Sequence, residues 1–472
     1  MLYYNQLKAF KLRASITAFM CLLIVNLCLS QDSEPSPWSR FGLGLNVPSY
    51  SLPQQLMGGV SAPIMIGNVI NPEQPASAAG CTTTLFQSSV YGSRNGMNEG
   101  DSSTTAITGN MGAFNLVVKK PGGKNAVMFG MHPYSSKGYN LSRTLTDDVV
   151  GDIIERYQGS GGTAKSYIGF AHAFRGRKWV KAGKTDSVMI ASSSLYLGGQ
   201  VNYLFGEVMQ QSRLDIQDIT YLDYRASTSM RHRSLGGLFG IQALKVLGSK
   251  YDDEKNFIRS TTLYLGGTYA TTNTLLTDYE KIVETVQLLS SVETPIDTTS
   301  YINILNKEGQ IPSKWTAGVG IAFESKSGSR LLLSADMMQE DWTSVADNID
   351  DLMEGNSEWA KANRLSLGMS FKPGSSGNRI YKAGFSMEDY PVSYEGYQLS
   401  GWKVAGGLTF PLEGSRSNSS LHIGVEFGQR SLKDVDGIVL DNTLQESIFN
   451  FHLGVSLAPF FKNLWLTPKL YD

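Results

Sequence analysis

From about residue 84 onward the chain repeats one pattern: large apolar side chains on one parity and small or polar ones on the other. The runs are close to the ~9 to 11 residues that a tilted strand needs to cross an outer membrane. Phe449, Phe451, Leu453, Val455 and Leu457 interleave with Ile448, Asn450, His452, Gly454 and Ser456. Leu421, Ile423, Val425 and Phe427 alternate with His422, Gly424, Glu426 and Gly428, and Trp315, Ala317, Val319, Ile321 and Phe323 with Thr316, Gly318, Gly320, Ala322 and Glu324. Soluble sandwiches alternate too, but their polar face meets water, where bare glycines form sheet poorly. Glycine on the smaller face fits a crowded lumen better.

Segments of this kind fall near 84–94, 104–118, 125–135, 163–175, 187–206, 226–247, 256–271, 313–326, 329–341, 361–373, 379–389, 400–411, 419–430 and 447–458. They predict an all-β fold, a transmembrane antiparallel β-barrel of about 14 strands, with the even number that a closed bacterial barrel uses. Connectors 119–124 and 372–377 are short and belong on the periplasmic side; 136–162, 272–312 and 342–360 are long and belong outside. Thr277 to Leu289 has some helical periodicity, so an outer helix or a solvated loop is expected there.

Two segments precede the barrel. Lys8, Lys11 and Arg13, an apolar run from about Ile16 to Leu29, and Ser30 before Gln31-Asp32-Ser33 read as a secretory signal peptide over 1–30. The apolar run is short for a spanning helix, and Asn26-Leu27 before Cys28 do not suit lipidation. Cleavage would leave Cys81 as the lone cysteine, a small buried side chain to which no function is given. Residues 31–80 do not alternate, and seven prolines from Pro35 to Pro75 keep them from being strand. Yet Leu56, Met57, Val60, Ile64, Met65, Ile66, Val69 and Ile70 need cover. A barrel of about fourteen strands is wider than its own side chains fill, so this segment is expected as a hatch, or plug, in the lumen of a barrel over 81–472.

A net charge of −1 gives no electrostatic footprint for nucleic acid. No phosphate loop, nucleophile elbow, zinc helix or paired Cys/His spacing is present, so no enzyme, cofactor or metal is expected. His132, His172, His232, His422 and His452 are scattered and read as lumen or rim residues rather than ligands. Parity turns Glu324, Asp336, Arg364, Lys372, Lys382, Lys403, Glu426 and Arg430 toward the lumen. With both signs present, they are expected to pair and knit the wall to the plug rather than to form a selectivity lining.

Several patterns taken in order resemble the outer-membrane long-chain fatty-acid transporter family, in its Bacteroidota form. They are Trp38-Ser39-Arg40-Phe41-Gly42-Leu43-Gly44, Leu56-Met57-Gly58-Gly59, Asn71 to Ser77, Pro133 to Tyr139, Tyr157 to Gly162, Asn202 to Gly206, Ile311-Pro312, Asp336 with Trp342, and Trp465 to Lys469. The resemblance implies a hatch element at Asn71, Pro72, Pro75 and Ala76, although Glu73 and Gln74 separate what the family keeps together. It also implies passive uptake of hydrophobic or amphipathic small molecules across a bacterial outer membrane, with the membrane's lipid as surroundings. The alternative is a non-transporting accessory subunit of an outer-membrane protein assembly or secretion complex, with envelope proteins as partners.

Overall fold

The computed structural model describes residues 35–458, apart from 48, 149, 183–185, 219, 290–291, 345–356, 375–378, 415–416 and 435–442. The signal-peptide expectation and the Trp465–Lys469 landmark lie outside the described residues. Inside the barrel, Pro35 to Gly80 carries a two-residue strand β1 (Leu45–Asn46), one helical turn (Leu52–Gln55) and short 3-10 turns at Pro37–Arg40 and Pro75–Gly80.

The wall is built by β2 (Leu85–Glu99), β3 (Ser102–Val118), β4 (Asn125–Ser136), β6 (Gly151–Ala182), β7 (Asp186–Ile216), β8 (Asp223–Tyr251) and β9 (Phe257–Ala270). It continues with β12 (Lys314–Ser325), β13 (Arg330–Asp341), β15 (Lys361–Lys372), β16 (Ile380–Tyr394), β17 (Tyr397–Gly414), β18 (Ser417–Lys433) and β19 (Gln445–Leu457). Neighbours pair antiparallel, and β19 returns to β2 in an unbroken register from Gln445–Asn98 to Leu457–Phe86, closing fourteen strands among the described residues. Every one of these strands overlaps a segment marked out by alternation. The faces follow parity as well. Val319, Phe449, Phe451 and Leu453 are exposed, while Ile448, Asn450, His452 and Ser456 are buried in the lumen.

The connectors differ from the loops expected. Strand β5 (Tyr139–Asp147) pairs with the upper part of β6, while β10 (Asn273–Leu289) and β11 (Val292–Ile311) form a hairpin whose β10 pairs with the upper part of β8. Thr277 to Leu289 is therefore strand, neither helix nor solvated loop. Ile282, Val283 and Val286 suit a helical face, but this β-branched stretch meets the open backbone edge of β8, whose hydrogen bonds decide. β6, β7 and β8 run for 32, 31 and 29 residues, roughly three times what the membrane needs. Their upper halves, with β5, β10 and β11, build a sheet that stands out from the outer mouth. A short strand β14 (Ser357–Trp359) pairs with the top of β16.

Candidate functional site

The plug threads the barrel from outside to inside. At the outer mouth the Ser36 amide donates to Gly138 O at 2.8 Å, and the Ser36 hydroxyl donates to Glu446 Oε2 at 2.9 Å. Arg430 Nε meets the same carboxylate at 3.0 Å, with both side chains buried. Strand β1 then lies against Ser135 and Ser136 of β4. Halfway down, Asp336 Oδ2 accepts from the backbone N–H of Ser61 at 2.6 Å and of Ala62 at 3.1 Å. At the inner end Lys119 donates to the carbonyls of Ala79 and Cys81, and the Cys81 thiol, buried, is pushed up to about 11 by desolvation.

Close approach of the plug explains several lumen-side glycines. A Cβ on Gly368 would stand 2.5 Å from Met57 O, and one on Gly198 would stand 2.5 Å from the Pro75 carbonyl carbon. The wall is pared down where the plug's backbone touches it.

The four residues expected to form a hatch element sit in this contact. Asn71, Pro72, Pro75 and Ala76 are all buried, and Asn71 Nδ2 donates to Ser61 O at 2.8 Å, tying two turns of the plug together. The two residues that interrupt the motif make its strongest contacts. Glu73 pairs with Lys165 of β6 at 3.2 Å and with Lys314 of β12 at 2.7 Å, fastening the plug to two strands of the wall. Gln74 Nε2 donates to Ala62 O and Gly267 O, both at 3.1 Å. Two polar residues inside a buried, proline-rich apolar stretch were the signal for this role.

The lumen charges divide. Asp336, Glu426 and Arg430 are buried, Glu426 accepting from Asn450 Nδ2 at 3.1 Å, and the Arg364 guanidinium lies 4.8 Å from the centre of the Tyr50 ring. Lys382 donates to Pro53 O at 3.4 Å and Lys403 pairs with Glu388 at 3.5 Å. Glu324 and Lys372 instead stand at the periplasmic rim, Glu324 paired with Arg330 at 3.1 Å and Lys372 exposed, because both fall at strand ends next to turns. His132, His422 and His452 are buried in the lumen and His232 is buried higher up beside Thr277 of β10, and no group of three His, Cys, Asp or Glu capable of holding a metal occurs among the described residues.

A cavity of about 80 Å³ between plug and wall is lined by Glu73, Lys165, Lys314, Glu340, Arg364, Glu388, Lys403 and Glu426. It has room for a few waters, far below the ~300 Å³ at which small-molecule pockets begin. A larger cavity, of about 530 Å³, lies at the outer mouth between the plug's entry (Pro35 to Phe41), the top of β3 (Ser102 to Ala106) and β5 (Tyr139 to Leu141).

This larger cavity borders a parting in the wall. β3 pairs with β4 only from Phe114–Met131 to Val118–Val127, although β3 stays paired with β2 up to Ser102 and β4 with β6 up to Ser136. Above Phe114 and Met131, the two strands separate among the described residues. Pro133 sits just above that point, at a register shift in β4; a proline lacks the ladder donor and bends a wall strand.

The same architecture occurs in solved structures. The toluene transporter TodX of Pseudomonas putida aligns with a TM-score of 0.51 at 14% identity, over 87% of this chain and 98% of its own. The toluene transporter TbuX of Ralstonia pickettii aligns at 0.48 and 13%, over 87% and 99%. A Pseudomonas aeruginosa FadL homologue aligns at 0.47 and 13%, over 88% and 99%. Among curated proteins none matches in sequence. The sequence model of the BamG family matches residues 12–467. This chain is thus an outer-membrane β-barrel with the fold of the long-chain fatty-acid transporter-like barrels, and it belongs to the BamG family.

Proposed function

We propose that this barrel takes up hydrophobic or amphipathic small molecules from outside and releases them sideways, through the parting between β3 and β4, into the membrane. The observation that carries this reading is the 530 Å³ cavity at the outer mouth, bordered by Pro37, Trp38, Phe41, Met97, Ala106 and Leu141, beside the stretch where β3 and β4 no longer pair. Capture would be driven by desolvation, roughly 25 cal/mol per Å² of apolar surface buried. No covalent chemistry is required. A vertical path is disfavoured, because the plug is clamped at three levels and the cavity beneath is small and lined by charges. The fold shared with a toluene transporter supports the same reading.

The test is uptake of labelled toluene and of labelled oleate by cells with and without the protein. A tryptophan at Ala106 would fill the cavity and should cut uptake to the level of the deletion strain while leaving the folded barrel intact. Equal uptake in the Ala106→Trp, wild-type and deletion strains would overturn the proposal. A second reading, a non-transporting subunit of an envelope complex, is favoured by the clamped plug and by the sheet that stands far outside the membrane.

A further inference from the structure

Buried charge in the lumen is not matched everywhere. Lys165 and Lys314 share Glu73, and Lys403 meets Glu388. Lys382 of β16 is only 5% exposed, yet it meets no carboxylate among the described residues and its ammonium donates to Pro53 O at 3.4 Å. A carbonyl accepts the bond without offsetting the charge, and an uncompensated buried charge is strongly destabilising. This ammonium lines a cavity of about 60 Å³ at the inner end of the barrel, between the plug's turn at Ile66 to Val69 and the wall from β13 to β18. Register sets the donors in two rows: Ser370 lies opposite Lys382, and one row nearer the rim Arg330 lies opposite Lys372. Asn68 adds an amide from the plug, and Thr409 and His422 are bonded to each other at 2.8 Å on the far side. Three cations line the cavity and no carboxylate does. Glu324, outside it, offsets Arg330 at 3.1 Å, which leaves Lys372 and Lys382 as surplus positive charge. The connector 373–379 between β15 and β16 and residues 415–416 between β17 and β18 contain no acidic residue, and beyond Ala458 the first is Asp472. Along β17, the first acidic residue past Gly407, the partner of Lys382, is Glu413, roughly 20 Å farther along the strand.

We infer that this cavity is a binding site for a phosphate group, entering from the periplasmic side either as inorganic phosphate or on a phospholipid headgroup. This inference does not depend on the uptake proposal. The volume decides the size of the occupant: about 60 Å³ holds a few waters or one small oxyanion, far below the ~300 Å³ of a pocket for a larger molecule. The lining decides its chemistry. Arg and Lys donors make their strongest hydrogen bonds to anionic oxygens, and a phosphate offers acceptors in several directions at once. It can therefore meet Lys382 and Ser370 in one row, Arg330 and Lys372 in the next, and Asn68 from the plug. Bound there, it would fasten the plug's inner turn to the wall with an anion supplied from outside, as Glu73 does at the centre with the chain's own carboxylate.

The test uses the full-length barrel, purified in dodecyl maltoside without phosphate, and two probes. One is potassium phosphate, compared with potassium chloride at equal ionic strength; the other is mixed micelles containing phosphatidylglycerol. Hydrogen exchange across residues 64–70 and the melting midpoint on heat-modifiable gels are read. At about one hundred times the half-saturating phosphate concentration, opening of the plug's inner turn should fall about 100-fold and the midpoint should rise. A response to phosphate alone identifies the free anion, one to phosphatidylglycerol alone identifies a headgroup, and either or both support the site. Lys382→Met removes the uncompensated charge, so it should melt no lower than wild type without phosphate and respond to neither probe. Ser370→Asp sets a carboxylate opposite Lys382 and should likewise lose the response. The site is overturned if neither probe acts, if phosphate and chloride act alike, or if both variants keep the full response. It is also overturned if phosphate acts only in an Asp472→Asn background, since the chain's own carboxylate would then fill the cavity. None of these outcomes alters the uptake result, so the two proposals fail separately.

Discussion

Replacing Asp336 by alanine is expected to free the middle of the plug without unmaking the barrel. Its Oδ2 holds two backbone N–H groups, Ser61 at 2.6 Å and Ala62 at 3.1 Å, in a buried site. Hydrogen bonds to charged groups contribute ~1.5–3 kcal/mol each, so losing both costs ~3–6 kcal/mol. At ~1.4 kcal/mol per factor of ten, the turn at Val60 to Ile64 should open roughly 10² to 10⁴ times more often. Asparagine keeps an acceptor oxygen and should fall between alanine and wild type. The assay is hydrogen exchange by mass spectrometry on the detergent-solubilised barrel, comparing a peptide across residues 57–66 with one across 317–323 of the wall. Faster exchange confined to the plug peptide is the expected result. If the alanine variant folds and its plug peptide exchanges at the wild-type rate, then Asp336 does not hold the plug.

Two further substitutions test the faces and the electrostatic bridge. Val319→Lys, on the lipid side, should cost ~2–4 kcal/mol near mid-membrane and lower the yield of the heat-modifiable folded form, whereas Val319→Ala should assemble normally; equal yields would reject the face assignment. Glu73→Ala strands Lys165 and Lys314 without their shared carboxylate, and breaking such a buried pair costs ~3–5 kcal/mol. Its melting midpoint on gels should therefore drop, and adding Lys314→Met should recover part of the loss.

The barrel was legible because its physics is local and repeated. An alternating strand declares its two faces in sequence, and the faces of β12, β18 and β19 could be read residue by residue. The upper sheet was not legible, since a strand such as β10 is specified by an edge offered elsewhere in the chain, by β8, and not by its own pattern. The hairpin's β-branched content hinted at strand, but helical spacing of the same residues competed with it. Parity also failed to distinguish mid-lumen from rim. Asp336 and Glu324 share a face assignment, yet one clamps the plug and the other sits beside a turn, because depth is set by where each strand begins.

The hatch shows a different limit. Its location followed from a mismatch, apolar residues without cover and a lumen without filling, which needs no knowledge of individual contacts. Its fastening followed from the opposite kind of residue. Glu73 and Gln74 looked like an interruption of a family element, but in a lumen of low dielectric an inserted carboxylate must find cations, and Lys165 of β6 and Lys314 of β12 supply them from two strands of the wall. The parting between β3 and β4 has the same logic in reverse. Pro133 was visible as one residue of a loop-like motif, while its consequence depends on its position within a wall strand, two residues above the last β3–β4 pair. Under the proposed uptake function, a plug fastened by charge at its centre and a wall whose strands part beside Pro133 make the side of the barrel, rather than its axis, the path to test for a hydrophobic molecule.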